Sequence, residues 1–392
     1  MTKFQDREDM LDELCIPAPD SLLLNVFGET GIGKSSALQE AARQLREEKK
    51  PPALVLWIDL ENFKDAADRP TAVLRALIDQ AEGRVSGIWQ SNEQVAAVIV
   101  AQLGALALHT PVYLMFDTTE ALQEDGEFWD WLHQNLTEPL VIDSRVKQIY
   151  AGRIPVAWRR FELRRTVKLL PLGPITPVKA SRALVEQVLL HSNPTLSETE
   201  ELQPAIDIVL EFSFGHPLLS ERLARYVAQH WPPTQPLAQF KVALCAEEVA
   251  LFIDQALFED IEPPWNEILW WASVLDWFDP TILQQYIEEV MPEMQGKPDY
   301  FFIREVAQLR MHNTVVWQEK RGDRLHGLIQ DIVRQCLKTV DVARYRRACE
   351  AAAKTFESIA KEFSAEDSYA EQFKNEAEIY RQRLLRLEEI TA

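Results

Sequence analysis

The sequence predicts an α/β domain, with a parallel sheet and helices on both faces, followed by a mainly helical region. An apolar run at residues 22–27 ends in a glycine-rich loop and a helix, the order of a phosphate-binding α/β unit. Further apolar runs alternate with helical segments up to about residue 170. Beyond that residue, apolar positions recur at helical spacing, which indicates a change of architecture.

The glycine-rich loop fits the pattern G-x-x-x-x-G-K-[ST], with fixed positions at Gly28, Gly33, Lys34 and Ser35. Glycines let the loop curl until backbone N–H groups face an anion, and the next helix turns its positive end to that anion. Lys34 is placed to reach the β and γ phosphates, and the Ser35 hydroxyl to ligate Mg²⁺. The other residues expected in this cradle are Thr30, Gly31, Ile32 and Ser36. The motif therefore predicts a P-loop NTPase domain that binds ATP or ADP with Mg²⁺.

Composition narrows the classes of partner and compartment. The chain has 392 residues and a formal net charge of -20, which disfavours a polyanion such as nucleic acid as a partner. The four cysteines have no metal-ligand spacing, and the N-terminus does not resemble a signal peptide, so a cytoplasmic location is predicted. The most apolar stretch, residues 95–116, is interrupted by polar residues, so no membrane span is expected.

Two later strand ends carry further candidate site residues. The stretch PVYLMFDTTEAL, residues 111–122, gives a strand that ends at Asp117, where open α/β sheets place their ligands. Asp117 is a candidate Mg²⁺ ligand opposite Ser35, although an aspartate there also serves as a turn or helix cap. The strand at residues 146–151 is followed by Arg153, which lies one strand end from the phosphates in the expected sheet or is a surface arginine.

The sequence predicts helices and a small hairpin in the second half of the chain. Helices are expected at residues 180–190, 202–212 and 218–230, with Pro217 near the first turn of the third. From residue 301 the order of helix, hairpin with an RGD turn, and helix predicts a winged helix, and two amphipathic helices then form a hairpin. The expected domains are an ATPase domain at 1–172, a helical lid at 173–260, a winged helix at 261–340 and a helical hairpin at 341–392.

With these motifs the chain resembles signal-transduction ATPases of the STAND class, which include the NB-ARC and NACHT switches, and it is closest in style to bacterial members. The motifs that carry the resemblance are Phe4-Gln5-Asp6-Arg7-Glu8, the Walker B-like LMFDTTEAL, the arginine-sensor segment IYAGRIPVAW, Gly215-His216-Pro217 and Leu325-His326-Gly327. The resemblance implies that Arg7 and Pro217 lie near adenine and that Arg153 senses the γ-phosphate. It also implies that His326 touches the β-phosphate of ADP and latches a closed form, whereas simple packing is the alternative.

This class is expected to be closed with ADP and to open or oligomerise with ATP, signalling to partner proteins in signal transduction or defence. Self-association in the ATP state and separate effector and sensor proteins are therefore the expected partners. Two positions depart from the family pattern: Thr118 replaces a second acid, and Gly327 replaces an aspartate. Because Glu120 is the nearest carboxylate to Asp117 that could act as a base, hydrolysis is expected to be slow.

Two other functions fit parts of the sequence. A DNA-binding or DNA-remodelling ATPase of the AAA+ kind also joins a P-loop domain to a winged helix, but it needs a basic recognition helix. The helix after the hairpin, LIQDIVRQCLK, offers only Arg334 and Lys338, with Asp331 before them. A small-molecule kinase would need a second substrate motif and would not need the long C-terminal half.

Overall fold

The structure is a computed structural model that describes residues 7–15, 22–48, 51–81, 91–143, 145–176, 178–198, 200–319, 321–364 and 368–391. The chain divides into two compact units, Met1–Gly173 and Pro174–Ala392. We call the first the ATPase unit and the second the C-terminal unit, and each is described by itself.

The ATPase unit is built on a five-stranded parallel sheet with the strand order β2-β3-β4-β1-β5. The strands are β1 Leu23–Phe27, β2 Leu54–Asp59, β3 Val112–Asp117, β4 Lys147–Gly152 and β5 Lys168–Pro171. Every residue of β3 and β4 is buried, which explains the nearly continuous apolar sequence of β3 before Asp117. In register, Phe27 lies opposite Gly152 and Asp59 opposite Asp117, so the carboxyl ends of these strands meet at one edge of the sheet.

Helices cover both faces of this sheet, as the sequence predicts. The helices are α1 Glu8–Cys15, α2 Lys34–Glu47, α3 Arg69–Gln80, α4 Asn92–Leu106, α5 Gly126–Leu132, α6 Glu138–Asp143 and α7 Phe161–Thr166, with short 3-10 turns at Leu60–Phe63 and Thr119–Leu122 and a π-helical turn at His133–Thr137. Along β3, Leu114 and Phe116 pack in one core with α3, α4 and α5. Tyr113, on the other face, donates its hydroxyl to the Cys15 carbonyl at the end of α1, at 2.9 Å.

The C-terminal unit begins with a group of helices. They are α8 Val178–Ser192, α9 Leu202–Ser213, α10 Pro217–His230, α11 Leu237–Leu244 and α12 Ala250–Phe252, with a 3-10 turn at Pro194–Glu198 and π-helical turns at Cys245–Val249 and Ile253–Leu257. Apolar residues at helical spacing along α9 and α10 are buried. This arrangement agrees with the helical region predicted after the sheet.

A winged helix follows. Its elements are α13 Trp265–Ala272, α14 Pro280–Val290, a 3-10 turn at Pro292–Met294, α15 Asp299–Met311, β6 Val315–Gln318, β7 Gly322–Leu325 and α16 Gly327–Val340. Strands β6 and β7 are antiparallel, and Phe278 forms a further bridge with Asp323. The helix-turn-helix pair is therefore α14 and α15, which precede the hairpin.

This order corrects one step of the sequence interpretation, which looked for a recognition helix after the hairpin. That helix, α16, buries seven residues, and its Arg334 donates to the carbonyls of Ser273 and Val274 and to Asp276. It is a core helix, because its arginine is used inside the unit. The second helix of the helix-turn-helix pair is α15.

The chain ends in a helical hairpin, as predicted, formed by α17 Val342–Glu362 and α18 Ser368–Thr391. Phe356 on α17 stacks on Tyr380 of α18 at 5.6 Å between ring centroids and lies 6.2 Å from Phe373. Aromatic contacts of this kind hold the two helices together. Within the described residues we find no helix whose length and apolar character would suffice to cross a membrane.

Candidate nucleotide-binding site

The loop between β1 and α2 has the curled backbone that a phosphate cradle requires. Gly31 and Gly33 adopt φ angles of 73° and 100°, a region that residues with a Cβ rarely occupy. Gly33 is also the residue that caps α2, so the N–H groups of the first turn of this helix open toward the loop. Within the loop Ile32 is buried, whereas Ser35 and Ser36 are exposed and Thr30 is half-buried.

Lys34 is held inside this loop by backbone oxygens. Its ammonium donates to the carbonyls of Gly28 at 2.8 Å and Glu29 at 2.9 Å, and the residue is only 8% exposed. Burial lowers the pKa of Lys34, and the charges of Glu120, Glu29 and Asp117 oppose this shift only in part. The site therefore holds a cation whose lost hydration is incompletely replaced, as expected for a group that binds an anion.

Asp117 ends β3 beside the first turn of α2, where it meets the predicted metal-ligating hydroxyl. The backbone N–H of Thr118 donates to its carboxylate at 3.0 Å. Asp117 is 4% exposed, and burial raises its pKa although the Ser35 hydroxyl and the Thr118 N–H lower it in part. A carboxylate and a hydroxyl brought together from two elements are the oxygen ligands that Mg²⁺ prefers.

Glu120 reaches back from the turn after β3 to the end of β4. Its Oε2 accepts a hydrogen bond from the backbone N–H of Arg153 at 3.1 Å. Gly152 makes room for this contact, because a Cβ there would lie 1.9 Å from Oγ1 of Thr119 and 2.9 Å from Oε2 of Glu120. Both Glu120 and Arg153 influence the pKa of Lys34 electrostatically. The structure thus brings Lys34, Asp117, Glu120 and Arg153 around one edge of the sheet.

Two residues of this region were missed by the sequence interpretation. Glu29, inside the loop, is buried and is one of the charges that act on Lys34. Asn25, in the middle of β1, is fully buried and donates to the Tyr150 carbonyl at 3.2 Å, while its Oδ1 accepts from the Val156 N–H at 2.7 Å and the Trp158 indole at 3.3 Å. It fixes the segment that follows Arg153. The only sequence signal was an amide within an otherwise apolar strand.

Arg7, predicted to lie near adenine, lies beside the loop. Its guanidinium donates to the carbonyls of Ile32 at 3.3 Å and Gly173 at 2.7 Å. It also lines an open cleft of about 390 Å³ between α1 and the end of β5. Phe4, Gln5 and Asp6 of the same motif lie outside the described residues.

Two predicted site residues belong to the C-terminal unit. Pro217 opens α10, and the preceding His216 caps this helix by accepting from the Leu219 N–H at 3.3 Å. His326 directly precedes α16 and donates its backbone N–H to the Thr314 carbonyl at 2.9 Å. Burial, followed by the charge of Arg324, lowers the pKa of its imidazole. Contact of Pro217 or His326 with a nucleotide stays a prediction.

Three of the solved structures that resemble most of the chain do so at low sequence identity. The ORC1 protein of Aeropyrum pernix in complex with DNA shares 14% identity over 88% of this chain and 95% of that chain, with a TM-score of 0.43. Drosophila ORC bound to DNA shares 13% identity over 86% of this chain and 95% of that chain, with a TM-score of 0.42. The Aeropyrum pernix ORC2 protein, in ADPNP–ADP complexes, shares 12% identity over 86% of this chain and 95% of that chain, with a TM-score of 0.44. No family model and no curated protein matches the sequence.

The first unit has a P-loop ATPase fold. The three solved structures named above are ORC proteins, and none of them is a signal-transduction ATPase. The assignment to the STAND class, with a switch that signals in defence, is therefore wrong. The expectation that nucleic acid is an unlikely partner, which rested on the net charge, is also wrong, because two of these structures contain DNA. A whole-chain charge averages over surfaces and does not describe any one of them.

Proposed function

We propose that the chain is an ATP-binding and ATP-hydrolysing protein of the AAA+ kind that contacts DNA. The observation that carries the nucleotide part is the buried ammonium of Lys34, held in the glycine-rich loop by the carbonyls of Gly28 and Glu29, together with the buried carboxylate of Asp117 at the end of β3. A glycine-rich turn that bound nothing would have no need of a buried lysine, and burying one unpaired cation is unfavourable. A nucleotide polyphosphate with Mg²⁺ supplies the missing partners for both charges.

The residues of the site divide the work of binding between them. Lys34 and the N–H groups at the start of α2 would hold the β and γ phosphates, while Ser35 and Asp117 would hold the metal ion. Bound Mg²⁺ neutralises charge that develops on the phosphates during transfer. Arg153 contributes a second cation at the end of β4. This division of roles leaves Glu120 for the attacking water.

Hydrolysis is expected to be slow, well below the roughly 10 s⁻¹ that is typical of enzymes. Thr118, directly after Asp117, cannot act as a base, and the Glu120 carboxylate already accepts the Arg153 N–H. Glu120 would have to orient water with its other oxygen. Glu120→Gln should keep ATP affinity within about twofold and lower the turnover rate at least tenfold; unchanged turnover would remove Glu120 from the reaction.

Calorimetric titration with ATP and Mg²⁺ tests the nucleotide part. Lys34→Ala should weaken ATP binding at least a hundredfold, because the lysine is the fixed cation of the cradle. Lys64→Ala is the matched control, since this exposed lysine of the same unit pairs with a surface glutamate, Glu61. Asp117→Asn should reduce the increase in ATP affinity that Mg²⁺ produces. Wild-type affinity in Lys34→Ala would contradict the proposal.

The DNA part is supported by the winged helix. In a helix-turn-helix pair the second helix enters the major groove, and that helix is α15. Its Arg304 has a side chain that is 65% exposed, and its ion pair is with the neighbouring Glu305. Arg321, at the turn of the hairpin, is also exposed. Two cations on the helix and hairpin of one winged helix suit contact with duplex phosphates.

Fluorescence anisotropy with a labelled DNA duplex tests this part. Arg304→Ala should lower duplex affinity about threefold to tenfold at 50 mM salt. Arg225→Ala is the matched control, because Arg225 is an equally exposed helical arginine, paired with Glu221, outside the winged helix. If the wild-type chain shows no salt-sensitive duplex binding, the DNA part fails and the nucleotide part stands.

A further inference from the structure

Helix α7 carries a compact cationic surface on the ATPase unit. The helix and the residues on either side of it, WRRFELRRTVK at 158–168, contain five basic residues and one acidic residue. The whole chain, in contrast, has 41 basic and 61 acidic residues. The charge of this stretch is therefore opposite to that of the whole chain. A local excess of this kind indicates an anionic partner for this surface.

The cations of this stretch are not equivalent. Arg159 pairs with Asp130 and Arg160 with Glu138, both on neighbouring helices, and Lys168 pairs with Glu13. Arg164 and Arg165 are exposed, and among the described residues the structure shows no ion pair for either of them. The first three stabilise the position of α7 and of the strand after it, whereas Arg164 and Arg165 remain available to a ligand.

An exposed aromatic ring lies on the same side of the helix as these two arginines. Phe161 is 65% exposed, and it precedes Arg164 and Arg165 by three and four positions, so that all three occupy one face of α7. Leu163, on the opposite side, is fully buried and joins the core of the unit. The helix is therefore anchored by one face and offers a phenyl ring and two guanidinium groups on the other.

We propose that this face of α7 binds single-stranded nucleic acid, with phosphates on Arg164 and Arg165 and a base stacked on Phe161. The combination of backbone-binding cations with a stacking ring is how proteins hold single strands without reading sequence. In a duplex the bases are already stacked and would not cover the ring. The proposal deepens the DNA part of the proposed function by adding a contact on the ATPase unit.

The test is anisotropy of a labelled oligo-dT on the full chain between 50 and 200 mM salt. Arg164→Ala/Arg165→Ala should lower affinity about tenfold and reduce the salt slope by about 1.4, because two phosphate contacts are lost. Phe161→Ala should lower affinity at least fivefold with little change in slope. Arg164→Lys/Arg165→Lys should retain most of the binding, since phosphates accept either cation.

The control is Lys64→Ala/Arg75→Ala, which removes two exposed cations of the same unit and should leave oligo-dT affinity unchanged. Duplex binding and ATP affinity should be unaffected by the α7 changes, so failure here is separate from failure of the proposed function. Equal loss of oligo-dT binding in the control, or none in Arg164→Ala/Arg165→Ala, would overturn the proposal. Binding that requires the arginines but not Phe161 would also overturn it, since that pattern describes a site for an acidic protein or free phosphate.

Discussion

A cluster of buried or partly buried charges lies in each unit, and the net pKa shifts of the carboxyl groups in the two clusters have opposite signs. In the ATPase unit, burial lowers the pKa of Lys34 and raises that of Asp117, so both groups are shifted toward their neutral forms. In the C-terminal unit, burial would raise the pKa of Asp276, but hydrogen bonds and charges from Arg383 and Arg334 outweigh it and hold this pKa below its ordinary value.

The difference follows from how many partners each charge has. Asp276 accepts from both guanidinium groups, and the Tyr380 hydroxyl accepts the backbone N–H of Asp276 at 2.9 Å. Lys34 has two carbonyl oxygens, whose partial charges do not replace its hydration. A cluster whose charges are satisfied internally is structural, whereas one whose charges are incompletely satisfied is prepared for a ligand. The comparison can be tested by removing one charge at a time.

The largest effect is expected at Asp276. Asp276→Ala should lower the free energy of unfolding of the C-terminal unit by roughly 3 to 5 kcal/mol, because two partly buried guanidinium groups lose their shared partner. The measurement is urea denaturation followed by circular dichroism. Asp331→Ala is the control: Asp331 also lies near Arg334, but loss of hydration raises its pKa, so its removal should leave stability unchanged or slightly higher. Equal destabilisation by both would show that pKa direction does not distinguish the clusters.

His133 extends the comparison to a buried group that lacks any hydrogen-bond partner within the described part of the chain. Its ring stacks on Trp158 at 4.9 Å. Burial lowers its pKa to about 4; the charge of Asp130 opposes this shift in part, whereas the cations Arg160 and Arg159 add to it. Because the folded pKa lies below the ordinary 6.5, stability is full above pH 6.5 and is lost as the pH falls toward 4, by roughly 3 kcal/mol.

The pH dependence is measured as the difference between wild type and His133→Phe, which cannot be protonated and suits an aromatic environment. Unfolding free energies of the ATPase unit at pH 7.5, 6, 5 and 4.5 should diverge between the two proteins as the pH falls. Other groups that titrate in this range contribute equally to both proteins. Parallel curves would mean that His133 is hydrated or paired when folded.

Local sequence patterns were enough to predict the sheet, the P-loop and the order of the C-terminal elements. The strand, loop and helix around Lys34 lie within 25 residues, so their chemistry is read from neighbours. Asn25 shows the limit. Its partner Val156 is 131 positions away, and an amide in an apolar run gives no indication that it will bind a distant loop.

Two other features that the sequence analysis did not predict correctly have different causes. Helix α7 has six residues and one buried side chain, which is too short for an apolar period to be recognised. The sequence interpretation placed the recognition helix after the hairpin, because α15 and α16 both show helical spacing. The pairing of Phe278 with Asp323 shows that the hairpin follows α15 within the same winged helix. The net charge also gave no indication of the basic stretch at residues 159–168, because it sums over the whole acidic chain.

The smallest change in stability is expected at Lys34, and it is the sharpest test of the comparison. Lys34→Met removes a cation that burial disfavours together with two hydrogen bonds to carbonyls, so the free energy of unfolding without nucleotide should stay within about 1 kcal/mol of wild type. The stabilisation by ATP should disappear, although wild type gains about 2.7 kcal/mol at a hundredfold excess of ATP over its dissociation constant. Thermal unfolding with and without ATP and Mg²⁺ measures both quantities. If Lys34→Met destabilises the nucleotide-free protein as much as Asp276→Ala does, Lys34 is a structural charge and the two clusters are alike.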